Sequence, residues 1–207
     1  MSQFNYKLYY QRKLPHYQPP DATLFITFRL AGSLPRDVLD RLGKELLSTE
    51  AEVKKISDLQ AAKNAKDKAQ KILFGKWDVE LDYCHPGPKW LAEPDIAELV
   101  CEALHYRDGK HYALEAYSVM PNHVHLVCSP LMQEDGIFPL SKILQSLKGN
   151  TARKANLLLG RQGEFWQHES YDHVVRDNNE FQRIVHYVLE NPIRAGLPAK
   201  WVYCRSR

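Results

Sequence analysis

The 207-residue sequence lacks any apolar run that approaches the roughly 20 consecutive residues needed for a membrane helix. Its first residues, 1–17, also lack the apolar stretch of a secretory signal. Cysteine is scarce, and no Cys-x-x-Cys pair occurs among Cys84, Cys101, Cys128 and Cys204. Scattered cysteines argue against a disulfide framework or a zinc knuckle and suit free thiols in a reducing compartment. We therefore expect a cytoplasmic protein with no membrane partner.

Charge is nearly balanced over the whole chain, since the net charge is only +3, but acidic residues are absent from one segment. Between residues 142 and 161 the chain carries five cations and no acid: Lys142, Lys148, Arg153, Lys154 and Arg161. A basic amphipathic helix of this kind attracts phosphates, and the attraction weakens with salt. Exposed helices also carry cations merely to stay soluble. The segment predicts nucleic-acid contact without excluding a solvated helix.

The N-terminal residues 1–22 interleave cations with aromatic rings. Lys7, Arg12 and Lys13 alternate with tyrosines that could stack on unpaired bases. The same residues could instead pack across the edge of a sheet. We interpret the segment as a DNA-contacting arm.

The remaining periodicity predicts an α+β protein. Apolar content of 44% and the chain length fit one domain over residues 1–207 with one substantial core. Alternation predicts strands, and 3.6-residue spacing predicts helices. We expect strands over 23–30, 112–119, 123–128 and 171–176, helices over 93–106, 142–161 and 181–191, a charged helical insertion over 35–76 (one long helix or a hairpin), and a loop over 77–91. This order implies an antiparallel sheet with helices on one face.

The sequence His123-Val124-His125 is the strongest single indication of chemistry. Residues i and i+2 of a strand share a face roughly 7 Å apart, so both imidazoles would project to the same side. Two neutral imidazoles that converge can bind a divalent cation. Two ordinary histidines on a half-exposed strand would show the same spacing.

A second pair of polar residues lies on the last predicted helix. Tyr187 and Asn191 are four residues apart and share one face of its final turn. Residues 177–179 offer an N-cap, and Pro192 predicts that the helix ends at about Asn191. A phenol becomes a useful nucleophile when a metal polarises the phosphate that it attacks, and an amide oxygen can bind that metal. The alternative is a tyrosine packed on an amphipathic helix.

Taken together, these motifs resemble the HUH endonucleases and transposases with one tyrosine. The motifs that carry the resemblance are Leu14-Pro-His16, Thr23–Leu30, Met120-Pro-Asn-His-Val-His-Leu126, Gly163-Glu-Phe-Trp166, Tyr187-Val-Leu-Glu-Asn-Pro192 and Ala195-Gly196. In this order they resemble the REP-associated tyrosine transposases most closely. The resemblance implies a ferredoxin-like core, with His123, His125 and Asn191 as ligands of Mg²⁺ or Mn²⁺. It implies Tyr187 as the nucleophile.

The resemblance also implies a function. A metal-dependent single-strand DNA endonuclease and strand transferase would act on hairpin DNA of palindromic repeats through a 5′-phosphotyrosine, as a monomer or a homodimer. Arg176 and Arg194 are expected to contact phosphates. Two alternatives stay open: a catalytically silent DNA-binding protein on the same scaffold, and a phosphodiesterase that uses water.

One position departs from the family. Asn150 lies where many relatives have an aromatic residue, and the chain would be inactive if that position were the nucleophile. Tyr171 and Tyr117 are weaker candidates than Tyr187, because neither has an amide at helical spacing behind it.

Overall fold

A computed structural model of the protein describes residues 9–11, 15–17, 19–83, 86–134, 136–198, 201 and 203–206. Its elements are, in chain order, β1 (Tyr9–Gln11), β2 (Pro15–Tyr17), β3 (Leu24–Leu30), α1 (Arg36–Val53), α2 (Leu59–Asp82), a 3₁₀ turn (Trp90–Ala92), α3 (Pro94–His105), β4 (Tyr112–Val119), β5 (His123–Pro130), β6 (Met132–Gln133), β7 (Gly136–Ile137), α4 (Leu140–Leu158), β8 (Trp166–Val174), α5 (Asn178–Arg194) and β9 (Cys204–Ser206). Two compact units divide the chain: Met1–Ala31 with Lys89–Arg207, and Gly32–Pro88.

The larger unit contains a five-stranded antiparallel sheet in the order β8-β3-β5-β4-β9. The elements β3, α3, β4, β5, α4 and β8 follow one another as β-α-β-β-α-β. This succession and strand order are those of a ferredoxin-like sandwich, so the predicted fold class is confirmed. The central strand is β5, which carries the histidine pair.

The two faces of this sheet are covered by different helices. On one face, α3 and α4 cover β3 and β5, so that Ile143 and Leu147 of α4 belong to the same buried core as Phe28 of β3 and Leu126 of β5. Each buried side chain of this size contributes about 1.5–3 kcal/mol. The opposite face is covered by α5, which contacts β4, β5 and β9. The sequence predicts a layer of helices on one face of the sheet. Helices α3 and α4 form that layer, whereas α5 lies on the opposite face.

Helix α5 extends further than its sequence predicts. Its N-terminus is capped as expected, since Asp177 Oδ1 accepts a hydrogen bond from Glu180 N at 2.8 Å. The predicted end at about Asn191 is wrong, because the helix continues through Pro192 to Arg194. A proline in the last turn removes only one backbone donor, and Asn191 is held by complete burial. Strand β8 also differs from its predicted range, since it begins at Trp166 and ends at Val174.

The smaller unit is a helical hairpin. Ion pairs join Arg41 to Glu80 and Lys76 to Glu45, so α1 and α2 run antiparallel. The prediction of a loop from residue 77 is wrong for residues 77–82, which continue α2 because no helix breaker precedes Pro86. A Cβ at Gly87 would lie 2.9 Å from the Gly32 carbonyl oxygen, so only glycine fits where the chain enters and leaves this unit.

The predictions of free cysteine thiols and of no membrane helix can be compared with the described residues. Cys101, Cys128 and Cys204 are free thiols, whereas Cys84 lies outside the described residues. No helix among the described residues combines the length and the apolar content that crossing a bilayer would require.

Candidate metal and tyrosine site

The two histidines converge on the face of β5 that looks toward α5. Their Nε2 atoms lie 3.0 Å apart, and the ring centroids are separated by 4.6 Å. Both side chains are almost completely buried, at 1% exposure for His123 and 0% for His125. The intervening Val124 points into the α3 and α4 core, as strand alternation requires.

Burial sets the protonation of this pair. Desolvation lowers the pKa of His123 to about 3. Desolvation, reinforced by the neighbouring His123, lowers the pKa of His125 well below its ordinary value. Both rings are therefore neutral at physiological pH, and each has one nitrogen lone pair to offer a cation.

Hydrogen bonds on the far side of each ring determine which nitrogen holds that lone pair. Asn122 Oδ1 lies 2.7 Å from His123 Nδ1, so the ring must donate Nδ1–H and keep Nε2 unprotonated. Thr27 Oγ1 lies 2.8 Å from His125 Nδ1 and can either accept or donate. When Thr27 accepts, both Nε2 lone pairs point into the same space, which is the arrangement that metal-binding histidines use.

The spacing of the two nitrogens also fits a hard divalent cation. Adjacent ligands at about 2.1 Å in an octahedron lie about 3.0 Å apart. The observed separation of the Nε2 atoms is 3.0 Å. The pair can therefore hold two neighbouring coordination positions of a divalent cation.

Tyr187 lies beside this pair in the same chain. Its ring centroid is 5.6 Å from that of His125, and Phe25 lies against both rings at 6.2 and 5.5 Å. The amphipathic spacing of α5 explains the placement, because Val188 is fully buried against the sheet while Tyr187 remains partly exposed. The phenol is thus packed next to an imidazole and is still reachable from solvent.

Asn191 joins the tyrosine to the buried interior. Its Nδ2 donates to the Tyr187 hydroxyl at 3.0 Å, and the residue is 0% exposed. Its Oδ1 is buried without a hydrogen-bond partner among the described residues. An orphaned amide oxygen normally costs about 1–3 kcal/mol, so a ligand at this atom would explain why it is tolerated. A buried amide oxygen of this kind is chemically suited to bind a divalent cation.

The predicted phosphate-binding residues fall into separate groups. The Arg194 guanidinium lies over the Tyr187 ring, 5.2 Å from its centroid. Arg176 follows the C-terminal end of β8, and its backbone N donates to Glu180. The side chains of Lys7, Arg12 and Lys13 lie outside the described residues.

The cations of α4 are also divided. Arg153, Lys154 and Arg161 line an open cleft of about 800 Å³ at the C-terminal end of the helix. Lys142 is exposed in its first turn. Lys148 is partly buried, and its Nζ donates to the carbonyls of Gln167 and His168 at 3.0 and 3.2 Å, so it joins α4 to the start of β8.

Three residues next to the histidines could not be assigned to the site from any sequence pattern. Thr27 and Arg29 are the cross-strand partners of His125 and His123, and Asn122 precedes the pair in the turn before β5. Arg29 is only 8% exposed, and desolvation lowers its pKa to about 10, so it stays positively charged on the histidine face. Alternation along β3 puts Thr27 and Arg29 on one face, but only the register with β5 identifies that face as the histidine face.

The alternative nucleophiles have different surroundings. Tyr117 packs into the α3 and α4 core, with its hydroxyl 3.0 Å from His105 Nε2. Asn150 is exposed on α4, the helix across the sheet from the histidines. Tyr171 is the β8 partner of Thr27, so it shares the histidine face but lies a further strand away.

Comparisons with known proteins agree with this architecture. Residues 89–191 match the model of the family described as "Transposase IS200 like". The structure is similar in fold to that of a REP-associated tyrosine transposase bound to a REP hairpin, with a TM-score of 0.52 and 14% identity over 94% of this chain and 80% of that chain. No curated protein matches the sequence.

Proposed function

Because the chain belongs, through residues 89–191, to the IS200-like transposase family, we propose that it cuts and rejoins single-stranded DNA by way of a phosphotyrosine. The observation that carries the proposal is the contact of Tyr187 with His125, one of the two paired imidazoles, at 5.6 Å between ring centroids. We assign the metal-binding role to His123, His125 and Asn191, and the nucleophilic role to Tyr187. Residues 1–207 would act as one domain that carries residues 35–76 as a helical insertion.

The donor set supports a divalent metal as cofactor. Imidazole nitrogens suit first-row transition ions, and an amide oxygen suits Mg²⁺ and Mn²⁺, so a set that combines them is compatible with Mn²⁺ or Mg²⁺ and offers no thiolate to a thiophilic ion. When bound, such an ion would polarise the scissile phosphate and stabilise the charge of the departing oxygen. Asn122 and Thr27 keep the Nε2 lone pairs of the histidines directed toward that ion.

The bond changes are a phosphoryl transfer to the phenol. The Tyr187 oxygen forms a bond to phosphorus as the bond from phosphorus to the 3′ oxygen breaks. The phenol proton passes to water, and the departing 3′ oxygen takes up a proton from water. A 5′-phosphotyrosine and a free 3′-hydroxyl result, and attack by a 3′-hydroxyl on the phosphotyrosine rejoins the strand without ATP.

Two features of this chain favour the reaction at Tyr187. Arg194 holds a positive charge over the ring, where it can meet both a phosphate and the negative charge that develops on the phenol oxygen. Asn191 donates to the hydroxyl and fixes its direction. Both residues lie on the same helix as the nucleophile, so their spacing is set by the helix itself.

We propose hairpin DNA of palindromic repeats as the substrate. The REP-associated transposase of similar fold is bound to a REP hairpin. The cations at the end of α4 and the segment 1–22 would contact the backbone and unpaired flanks of such DNA. Lys7, Arg12 and Lys13 belong to that segment.

Covalent trapping tests the proposal. Wild-type protein is incubated with Mn²⁺ and a hairpin labelled on the side expected to remain attached, and the products are separated on a denaturing gel. We expect a labelled protein band that Tyr187→Phe abolishes. Tyr171→Phe is the matched control, because it removes a phenol from the same sheet face, and it should retain the band.

The other outcomes identify the alternatives. Cleavage without a protein-linked label supports a phosphodiesterase that uses water. Binding on native gels without cleavage supports a silent DNA-binding protein. Loss of the band in Tyr171→Phe with retention in Tyr187→Phe would reassign the nucleophile.

A further inference from the structure

A cationic cleft lies at the C-terminal end of α4, away from the histidines. The cleft is open to solvent, has a volume of about 800 Å³ and is lined by Arg153, Lys154, Arg161, Leu157 and the turn over residues 160–163. Within the described lining, none of the side chains is acidic. Three positive charges without a lining counter-ion favour a polyanionic ligand.

Arg161 is held in a fixed position at this cleft. Its guanidinium lies 3.8 Å from the centre of the Trp90 ring, within cation–π distance. Its Nη1 donates to Asn156 Oδ1, and its Nη2 donates to the Glu164 carbonyl at 3.1 Å. A guanidinium that is already ordered loses less rotamer entropy when it binds a phosphate.

The support beneath Arg161 continues into the core of the larger unit. Trp90 stacks on Phe165, with ring centroids 5.4 Å apart and an interplanar angle of 26°. Phe165 is 1% exposed and contacts Trp166 edge to face at 5.0 Å. The cleft is therefore built on the rigid α3 and α4 core and not on a loose surface side chain.

Apolar surface adjoins the cations. Leu157 and Leu158 are 82% and 58% exposed, although both belong to a helix whose other leucines are buried. Nucleic-acid backbones present sugar carbons next to phosphates, so neighbouring apolar and cationic groups suit them. A small inorganic anion would leave this apolar surface uncovered.

The strand register links the cleft to the histidine site. On β3, Arg29 pairs with His123 on one side and Leu30 pairs with Trp166 on the other. Ala31 N then donates to the Phe165 carbonyl at 2.9 Å. The cleft and the histidine pair thus lie at the same end of the sheet, on opposite faces.

From these observations we propose that the cleft is a second DNA-binding site, which holds the phosphodiester backbone of the substrate beside the sheet end that carries His123. The inference rests on the proposed function, since it takes DNA as the substrate. It adds Trp90 as a positioning residue, because the indole holds Arg161 toward the cleft. Backbone held here would lead around the sheet end toward Tyr187.

Salt-dependent binding tests this site separately from catalysis. The probe is a fluorescent DNA hairpin with single-stranded flanks, and every variant carries Tyr187→Phe so that the strand stays uncut. Anisotropy titrations at several salt concentrations give the affinity and its salt slope. We expect Arg153→Gln with Lys154→Gln to weaken binding and to reduce the slope by about 2, or about 1 per cation removed.

Three further variants make the test specific. Trp90→Ala removes no charge but should weaken binding, whereas Trp90→Phe keeps an aromatic face and should restore most of the affinity. Lys110→Gln is the matched control, since Lys110 lies 3.6 Å over the Tyr106 ring before β4, at the other end of the sheet. Its affinity and slope should equal those of the parent.

The proposal is overturned if the Arg153 and Lys154 double variant keeps the parent affinity and slope, or if Lys110→Gln loses as much. Cooperative thermal melting first establishes that Trp90→Ala is folded. If this variant does not fold, the Arg153 and Lys154 double variant and Lys110→Gln test the proposal without it. Failure of the phosphotyrosine proposal would appear in covalent trapping alone, because these titrations involve no cleavage.

Discussion

Substitution of Thr27 by valine isolates the role of one hydrogen bond in the proposed metal binding. Thr27 Oγ1 lies 2.8 Å from His125 Nδ1, and the residue is 6% exposed, so water has little access to replace the hydroxyl. Valine keeps the branched shape and removes both the donor and the acceptor. His125 then loses the hydroxyl that can accept from Nδ1–H and so leave Nε2 unprotonated for a cation.

The expected loss of metal affinity follows from the known effect of residues that hydrogen-bond to a metal-binding histidine without touching the metal themselves. Their loss typically weakens metal affinity about 10–100-fold, which corresponds to about 1.4–2.8 kcal/mol. Isothermal titration of Mn²⁺ into the purified protein measures this directly. Thr27→Ser retains the hydroxyl and should bind within a few-fold of wild type.

A second measurement separates metal binding from folding. Leaving His125 Nδ1 buried with one partner fewer should destabilise the metal-free protein by about 1–3 kcal/mol, visible as a lower melting temperature without added metal. The reasoning is refuted if Thr27→Val binds Mn²⁺ like wild type, or if Thr27→Ser loses as much affinity as Thr27→Val.

Three other predictions concern the fold. Leu147→Ala should lower the free energy of unfolding by about 2–5 kcal/mol because Leu147 is 0% exposed, whereas Leu157→Ala on the same helix, 82% exposed, should leave urea unfolding nearly unchanged. Asp177→Ala removes the acceptor for Glu180 N and should cost about 1 kcal/mol, which equal urea midpoints for variant and wild type would contradict. Burial raises the pKa of Cys101 to about 11, so its alkylation by iodoacetamide should be slow at pH 8 and should accelerate with pH up to that value; a rate that levels off near pH 9 would disprove the shift.

Much of the fold can be predicted from the sequence because apolar residues recur at regular intervals along its strands and helices. The alternation around His123 and His125 predicts a strand with both imidazoles on one face, and the structure agrees. The α5 boundary fails at its C-terminus because local proline chemistry predicts a stop, while burial of Asn191 keeps the helix intact. Tertiary packing overrides the local preference at that position.

The partners of the histidines are not readable in this way. Thr27 lies 98 residues from His125 in the chain, and the two meet only through the register of β3 with β5. A shift of one residue would turn Thr27 to the other face and bring a core residue opposite His125. The helical spacing of Tyr187 and Asn191 is local, so that part of the site could be predicted, whereas its distance from the histidines could not.

The main apolar cluster includes side chains from both helices of one layer and, among the described residues, none from α5. That helix is therefore expected to open as a separate cooperative unit, at a lower free energy than global unfolding. Amide hydrogen exchange should show weaker protection for residues 181–191 than for β5. Movement of the phenol away from His125 would then need no disruption of the domain interior, so mutations that change the mobility of Tyr187 need not change the stability of the scaffold.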